Sequence, residues 1–323
     1  MESRRQPRKD PASPLTRRQL WTNLLVYPTH TFPTAAAPVL VGIGLAVHNH
    51  VFVFLPALIG FIGSWLVHVG GLFTDNYELL LHHPDNREHP ELTEALQNGS
   101  LSLGILRGAI IFCFLAAVLT APYFFQIGGP LVIVFGIVGI ASSWAYAAGP
   151  FAYARLGLAD PIFLFMYGVV AVVGIYYIQA AAYFPAVHEW RVVWETLPLD
   201  AFILGLPVGA LVVNVLLIDD IRDHGPDRDK GWRTGAVRFG VNWTRAEIVL
   251  LTVFAYIAPF WFWLGRGYSA WVLLPLLTLP RAVTVARIVC RSTRFEDLFP
   301  MTPKGAFLSF YFGALLGLGI ALR

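Results

Sequence analysis

Charge and cysteine are both scarce in this 323-residue chain, and each shortage narrows the protein classes to which it can belong. Only 13% of the residues are charged, whereas 56% are hydrophobic, so an ordinary soluble globular domain is excluded. Cys113 lies in an apolar run and Cys290 in a basic loop, so we expect no disulfide, and no cysteine spacing typical of a metal site exists. The Lys and Arg residues stand between the apolar runs, as in membrane-protein loops, so we expect no nucleic-acid partner.

Long apolar runs with almost no charge dominate the sequence instead. A run of about 20 residues can cross a hydrocarbon core of roughly 30 Å. We therefore predict an all-α, polytopic membrane protein with about nine transmembrane helices in one bundle. We expect a basic cytoplasmic tail over residues 1–20, with nothing signal-like in it, and a single membrane domain over 21–323. The predicted spans are residues 28–47, 51–73, 103–121, 130–149, 160–183, 200–218, 246–265, 269–287 and 305–322.

Lys and Arg are distributed unevenly between the two sides of these spans. If the N-terminus is inside, 20 of the 23 Lys and Arg residues fall in inside segments, and only Arg191, Arg266 and Arg323 fall outside. The positive-inside rule then places the N-terminus in the cytoplasm, together with both acidic loops described below. We expect an integral multi-pass protein, in the inner membrane if the source is bacterial.

The acidic segment, residues 217–240 (LIDDIRDHGPDRDKGWRTGAVRFG), carries the strongest chemical signal. In a helix, the i, i+4 and i+8 spacing of Asp219, Asp223 and Asp227 would place three carboxylates on roughly one face. Carboxylate oxygens suit Mg²⁺, which keeps several waters and recruits substrate phosphates. Interleaved Arg and Lys residues would neutralise the same phosphates. The segment therefore predicts a Mg²⁺–diphosphate site, and a solvated mixed-charge loop between spans is the alternative.

A second polar loop, residues 71–101, follows the second predicted span. Asp75 and Glu78 are spaced i, i+3 and would share a helical face. Pro84 in this loop and Pro226 in the acidic segment disfavour helix at the residue before each proline. We therefore expect both helices to end there, so that two acidic helix ends on one side of the bundle hold cations and a diphosphate between them.

With these loops in place, the sequence resembles the UbiA superfamily of intramembrane prenyltransferases, and within it the branch that prenylates 1,4-dihydroxy-2-naphthoate in menaquinone synthesis. Residues 32–46 (FPTAAAPVLVGIGLA) are similar to the entry helix of that branch, and residues 145–179 to its Gly-Pro-Phe, Leu-Gly and Tyr-Tyr pattern. Nine helices with both acidic motifs on the cytoplasmic side are what the resemblance implies. The matches to the second aspartate motif stand at Arg222, Asp223, Asp227, Gly231, Arg233, Thr234 and Arg238.

The first aspartate motif departs from the family pattern. The family shows Asn-Asp-x-x-Asp, whereas this chain has Asp75 and Asn76 at the first two positions and Leu79 at the last. Leu79 cannot ligate a metal. A shifted register in which Glu78 and His82 or Asp85 take over is the alternative.

The resemblance implies Mg²⁺-dependent transfer of a prenyl group from a polyprenyl diphosphate to an aromatic acceptor, within the lipid bilayer. A UbiA-type terpene cyclase is left open by the altered first motif. A small-solute transporter is a third hypothesis, disfavoured because few charged residues lie within spans and no pair of broken helices occurs at matching positions.

The resemblance and the residue chemistry together assign the expected site residues. For Tyr146 and Tyr153, which we expect to bind substrate, the alternative is a packing role. For His30 the alternative is a position at the membrane interface. The expected catalytic residues are Asp219, Asp223 and Asp227; the metal ligands are these with Asp75, Glu78 and Asp220; and the substrate-binding residues are Arg222, Lys230, Arg233, Tyr146, Tyr153 and His30.

Overall fold

The computed structural model describes residues 31–85, 90–184 and 197–322, and every regular element in these ranges is a helix. Within them, eight helices are long and apolar enough to cross a membrane, and a ninth apolar helix is shorter. The prediction of an all-α bundle of about nine spans is therefore confirmed. In chain order the helices are α1 Thr31–His48, α2 Phe54–His82, α3 Leu103–Gly128, α4 Pro130–Ala145, α5 Ala159–Tyr183, α6 Leu199–Arg222, α7 Val241–Arg266, α8 Ala270–Arg291 and α9 Phe295–Ala321.

Two of the spans change helix type along their length. α5 contains a π-helical turn, Met166–Val170, and α8 begins as a 3₁₀ helix over Ala270–Thr278. Pro275 lies within that 3₁₀ stretch, where the absence of its N–H and the position of its ring disfavour a regular α-helix. Membrane helices tolerate such breaks because neighbouring helices and side chains satisfy the backbone groups that are released.

Small residues bring α1 and α9 into close contact. A Cβ added to Gly44 of α1 would lie 2.2 Å from the carbonyl oxygen of Gly317 in α9. One added to Gly313 would lie 2.6 Å from the carbonyl oxygen of Ala37. Glycine and alanine at a helix interface let two backbones approach in this way. The pair of helices forms a rigid support for the residues at the start of α9 that reach the site.

The ends of α2 and α6 position the two acidic motifs. α2 continues past the predicted residue 73 to His82, so Asp75 lies on the helix, which ends just before Pro84 as expected. The expectation that Pro226 ends α6 at the preceding residue is wrong. α6 ends at Arg222, and Pro226 lies inside a separate short helix, His224–Asp229. This is compatible with proline chemistry because Pro226 is the third residue of that helix, where its missing N–H has no intrahelical partner to lose.

Candidate active site

A cavity of about 1190 Å³ lies within the bundle, and most of the predicted site residues line it. The ends of α2 and α6 bring acidic side chains to it, and apolar and aromatic side chains from α4 and α5 form much of the remaining wall. The predicted site residues on the wall are Asp75, Asp219, Asp220, Asp223, Asp227, Arg222, Tyr146 and Tyr153.

Arg222 pairs with two of the carboxylates in the second motif, Asp219 and Asp223. Its guanidinium forms a fork on Asp223, with Nε donating to Oδ1 at 2.8 Å and a second nitrogen donating to Oδ2. The same guanidinium forms an ion pair with Asp219, one turn earlier on α6. The hydroxyl of Thr302 on α9 donates to Asp219 Oδ1. Arg222 lies between the two carboxylates, and its single positive charge offsets one of their two negative charges.

The third carboxylate has a separate cation and an aromatic ring beside it. Lys230 Nζ lies 3.2 Å from Asp227 Oδ1 and 3.8 Å from the ring centroid of Trp232. The guanidinium carbon of Arg155 lies 5.2 Å from the same ring, so the indole has two cationic neighbours. Arg155 and Trp232 both line the cavity, and neither was expected at the site. The one signal for Arg155 is that no other Lys or Arg stands between the fourth and fifth predicted spans.

On α2, only part of the first motif faces the cavity. Asp75, Asn76 and Leu79 line it, and Glu78 does not. The Glu78 carboxylate instead lies 3.7 Å from a guanidinium nitrogen of Arg155. This arrangement favours the unshifted register of the motif, in which Leu79 takes the place of an acidic residue. Glu78 contacts the site through Arg155 rather than directly.

Asp220 and the remaining predicted substrate-binding residues have different surroundings. Asp220 is buried, and its Oδ2 accepts a hydrogen bond from the backbone N–H of Gly235 at 3.2 Å. The side chain of Arg233 is exposed and does not line the cavity, and Lys230 lies behind Asp227 rather than on the wall. His30 and the predicted tail of residues 1–20 lie outside the described residues.

Tyr146 and Tyr153 present protonated hydroxyls and aromatic faces. Their ring centroids are 5.5 Å apart. Burial raises the pKa of Tyr153 to about 12. Burial, and then the nearby carboxylates of Asp75, Asp220 and Asp219, raise the pKa of Tyr146 well above its usual value. Near neutral pH neither tyrosine adds negative charge to the acidic end of the cavity.

The carboxylates on the cavity wall suit Mg²⁺ only if water and substrate phosphates complete the coordination of the metal. Among the described residues, no group of three His, Cys, Asp or Glu side chains lies close enough to hold a metal ion. The wall nevertheless supplies carboxylate oxygens, the ligand type that Mg²⁺ prefers, and Mg²⁺ normally completes its shell with water and substrate phosphates. The residues therefore fit a magnesium ion that binds together with a diphosphate.

Comparison with known proteins identifies the family to which this architecture belongs. Residues 35–311 match the model of the UbiA prenyltransferase family. The chain belongs to that family. The predictions of UbiA membership and of a prenyltransferase are thereby confirmed.

Relatives of this UbiA-family chain are found among both sequences and structures. It is 27% identical to the 1,4-dihydroxy-2-naphthoate octaprenyltransferase of Escherichia coli (strain K12) over 317 residues, which cover 95% of this chain and 97% of the relative. The apo structure of a UbiA homologue from Aeropyrum pernix K1 superimposes with a TM-score of 0.63 at 14% identity, covering 89% of this chain and 96% of that one. A UbiA homologue from Archaeoglobus fulgidus bound to GPP and Mg²⁺ gives a TM-score of 0.52 at 14% identity, covering 91% and 98%. These structural likenesses show the UbiA fold.

Asp227 offers the most direct test of the site in this UbiA-family protein. Asp227→Asn keeps the size of the side chain and removes the charge. If this carboxylate helps to hold a magnesium diphosphate, prenyl transfer should fall by about 100-fold to 1000-fold or more. The measurement is Mg²⁺-dependent transfer from an allylic diphosphate in purified membranes, with a thermal melt to verify folding.

The matched control is Asp297→Asn. Asp297 is exposed, accepts a hydrogen bond from Ser292 and does not line the cavity, so this variant should keep the parent rate. Near-full Mg²⁺-dependent activity in Asp227→Asn would contradict the placement of the site.

Proposed function

We propose that this protein transfers a prenyl group from an allylic polyprenyl diphosphate to an aromatic acceptor of the 1,4-dihydroxy-2-naphthoate type, in a Mg²⁺-dependent reaction. The observation that carries the proposal is the cavity itself, which joins a charged end to an apolar, aromatic wall. A prenyl diphosphate has the same two halves, an anionic head and an apolar tail. The E. coli relative's name and the GPP and Mg²⁺ bound to the A. fulgidus homologue support the same substrate class.

At the charged end, we assign the carboxylates of Asp75, Asp219, Asp223 and Asp227 to the metal and Arg222 to the phosphates. When bound, Mg²⁺ would neutralise the negative charge that develops on the leaving diphosphate. Once the carboxylates have a metal partner, Arg222 can turn its planar fork to phosphate oxygens, which it matches bidentately. Its contacts with Asp219 and Asp223 place it beside two of the carboxylates that we assign to the metal.

At the aromatic end, the residues stabilise the allylic cation and exclude water. The Tyr146 and Tyr153 rings line the cavity, and the negative faces of aromatic rings attract a cation. The apolar wall keeps water away from the cation. Water would otherwise react with the cation and give an alcohol. The cation is then left to the electron-rich ring of the acceptor.

Product analysis tests this function and separates it from its alternatives. Membranes containing the protein are incubated with Mg²⁺ and a radiolabelled prenyl diphosphate, with and without 1,4-dihydroxy-2-naphthoate. We expect a prenylated aromatic product that requires both the acceptor and Mg²⁺. A labelled hydrocarbon or alcohol formed equally well without acceptor would indicate a terpene cyclase instead. Full recovery of the prenyl diphosphate under all conditions would contradict any prenyl chemistry and would reopen the transport hypothesis.

The first motif is tested by comparing two neighbouring carboxylates. Asp75 lines the cavity, whereas Glu78 does not line it and pairs with Arg155, which does. If Asp75 is a metal ligand, Asp75→Ala should raise the Mg²⁺ concentration needed for half-maximal transfer by about tenfold or more, as the loss of a charged ligand does. Glu78→Ala should change that concentration much less, because the carboxylate of Glu78 pairs with Arg155 and does not line the cavity. Equal effects of the two variants on the Mg²⁺ requirement would overturn this division.

We infer from the Lys and Arg distribution that the acidic ends of α2 and α6 face the cytoplasm. The family match over residues 35–311 supports a single membrane domain for 21–323.

The orientation is tested by labelling single cysteines. A cysteine at Ala270, near Arg266, which we expect outside, should react with an impermeant maleimide added to intact cells. A cysteine at Asp229 should react only after lysis. Both positions are exposed, and the background is Cys113→Ser with Cys290→Ser. Labelling of position 229 in intact cells would reverse the orientation.

A further inference from the structure

A histidine and a tyrosine form a hydrogen-bonded pair in the wall of the cavity, away from the acidic motifs. His68 lies on α2 and Tyr167 on α5, and both side chains line the cavity. The Tyr167 hydroxyl contacts His68 Nδ1, and the two ring centroids are 5.8 Å apart. Ionisable side chains within membrane spans are rare, and those that face a cavity usually have a functional role. None of the roles assigned to the aspartates uses this pair.

The neighbouring hydrogen bonds indicate which atom donates in the contact between His68 and Tyr167. The hydroxyl of Thr34 on α1 donates to the carbonyl oxygen of Thr31, 3.2 Å away. It also lies 3.2 Å from His68 Nε2, and while it donates to Thr31 its oxygen can accept from that nitrogen. The tautomer with its proton on Nε2 fits these contacts, and in it Nδ1 accepts the hydrogen of the Tyr167 hydroxyl. The Tyr167 oxygen keeps acceptor capacity on the side of the cavity.

An aromatic wall connects this pair to the charged end. The Tyr146 and Phe163 ring centroids are 5.3 Å apart, and those of Phe163 and Tyr167 are 5.2 Å apart. Tyr146 is close enough to Asp75 for the carboxylate to affect its pKa. On α2, His68 precedes Asp75 by seven residues, which is two turns on the same face and a rise of about 10 Å. A two-ring aromatic molecule stacked on this wall would extend from the diphosphate end toward His68.

The backbone at Tyr167 has an unusual form that is consistent with a site. Tyr167 belongs to the π-helical turn of α5, and such turns occur frequently at functional positions. The next residue, Gly168, packs directly on α6, where a Cβ added to Gly209 would lie 2.7 Å from the Gly168 Cα. This close packing fixes the turn against α6, and Tyr167 remains on the cavity wall with Phe163.

We propose that His68 and Tyr167 form the binding subsite for a ring hydroxyl of the aromatic acceptor, a proposal that rests on the function proposed above. The Tyr167 oxygen accepts the hydrogen of that hydroxyl. As a ring carbon bonds to C1 of the prenyl group, the C1–O bond breaks and its electron pair leaves with the diphosphate. The hydroxyl proton passes to Tyr167 while the Tyr167 proton passes to His68 Nδ1. The ring is left with a carbonyl and His68 with a positive charge.

Binding of two naphthoates tests the subsite without requiring turnover. The purified protein is titrated with 4-hydroxy-2-naphthoate and with 2-naphthoate, in the absence of Mg²⁺ and prenyl diphosphate. The parent protein should bind the hydroxylated compound about fivefold to tenfold more tightly, as expected for one hydrogen bond. Tyr167→Phe should bind both compounds with equal affinity. Tyr256→Phe is the matched control, because its hydroxyl bonds to Thr278 away from the cavity, and it should keep the parent preference.

Two substitutions at His68 separate positioning of Tyr167 from proton transfer. Glutamine can still accept the Tyr167 hydrogen but is not basic, so His68→Gln should keep the binding preference and lose kcat by about 100-fold or more. His68→Leu should lose both. These variants retain Tyr167, so they give the binding comparison even if Tyr167→Phe does not fold.

The two proposals fail in different ways. A parent protein that prefers the hydroxylated naphthoate but prenylates no acceptor would contradict the proposed function and leave the subsite standing. A parent protein with no such preference, or a Tyr167→Phe variant that keeps it, would overturn the subsite even if prenyl transfer is demonstrated.

Discussion

The charge balance around Arg222 is the constraint on which the rest of the site depends. Carboxylates at the edge of a bilayer repel one another and lose solvation, so each needs a partner. Arg222 supplies that partner to Asp219 and Asp223, and Lys230 supplies it to Asp227. A magnesium diphosphate can provide similar pairing. The metal ion would pair with the carboxylates in place of Arg222 and Lys230, and these two side chains would pair with the phosphates. The same ion pairs that stabilise these carboxylates therefore hold the residues of the site ready for the substrate.

From this charged end the cavity changes character along α5. Tyr146 lies beside the carboxylates, Phe163 packs against it, and Tyr167 with its partner His68 packs against Phe163. Polar chemistry at two separated places along one cavity suits a reaction with two substrates. We propose that the first place binds an anion and the second a hydroxyl, with an apolar region between them that shields a cation from water.

Some features of this architecture were predictable from the sequence, and others depend on contacts between distant segments. Apolar runs long enough to span a bilayer predicted the bundle, and the spacing of Asp219, Asp223 and Asp227 predicted that they share a site. The end of α6 was misjudged because proline is tolerated in the first turn of the following helix. Glu78 was expected to reach the cavity, but its contact with Arg155 depends on a loop some 75 residues further along the chain. Tyr167 lies in a π-helical turn, which apolar periodicity does not indicate.

The central claim is that one cavity holds the diphosphate at its acidic end and the apolar groups along its aromatic wall. A structure of the protein with Mg²⁺ and an unreactive allylic thiodiphosphate tests it most directly. We expect Mg²⁺ in contact with at least one of Asp219, Asp223 and Asp227, the Arg222 guanidinium on phosphate oxygens, and the prenyl chain within the cavity. A diphosphate bound outside this cavity, with the Arg222 contacts to Asp219 and Asp223 unchanged, would contradict it.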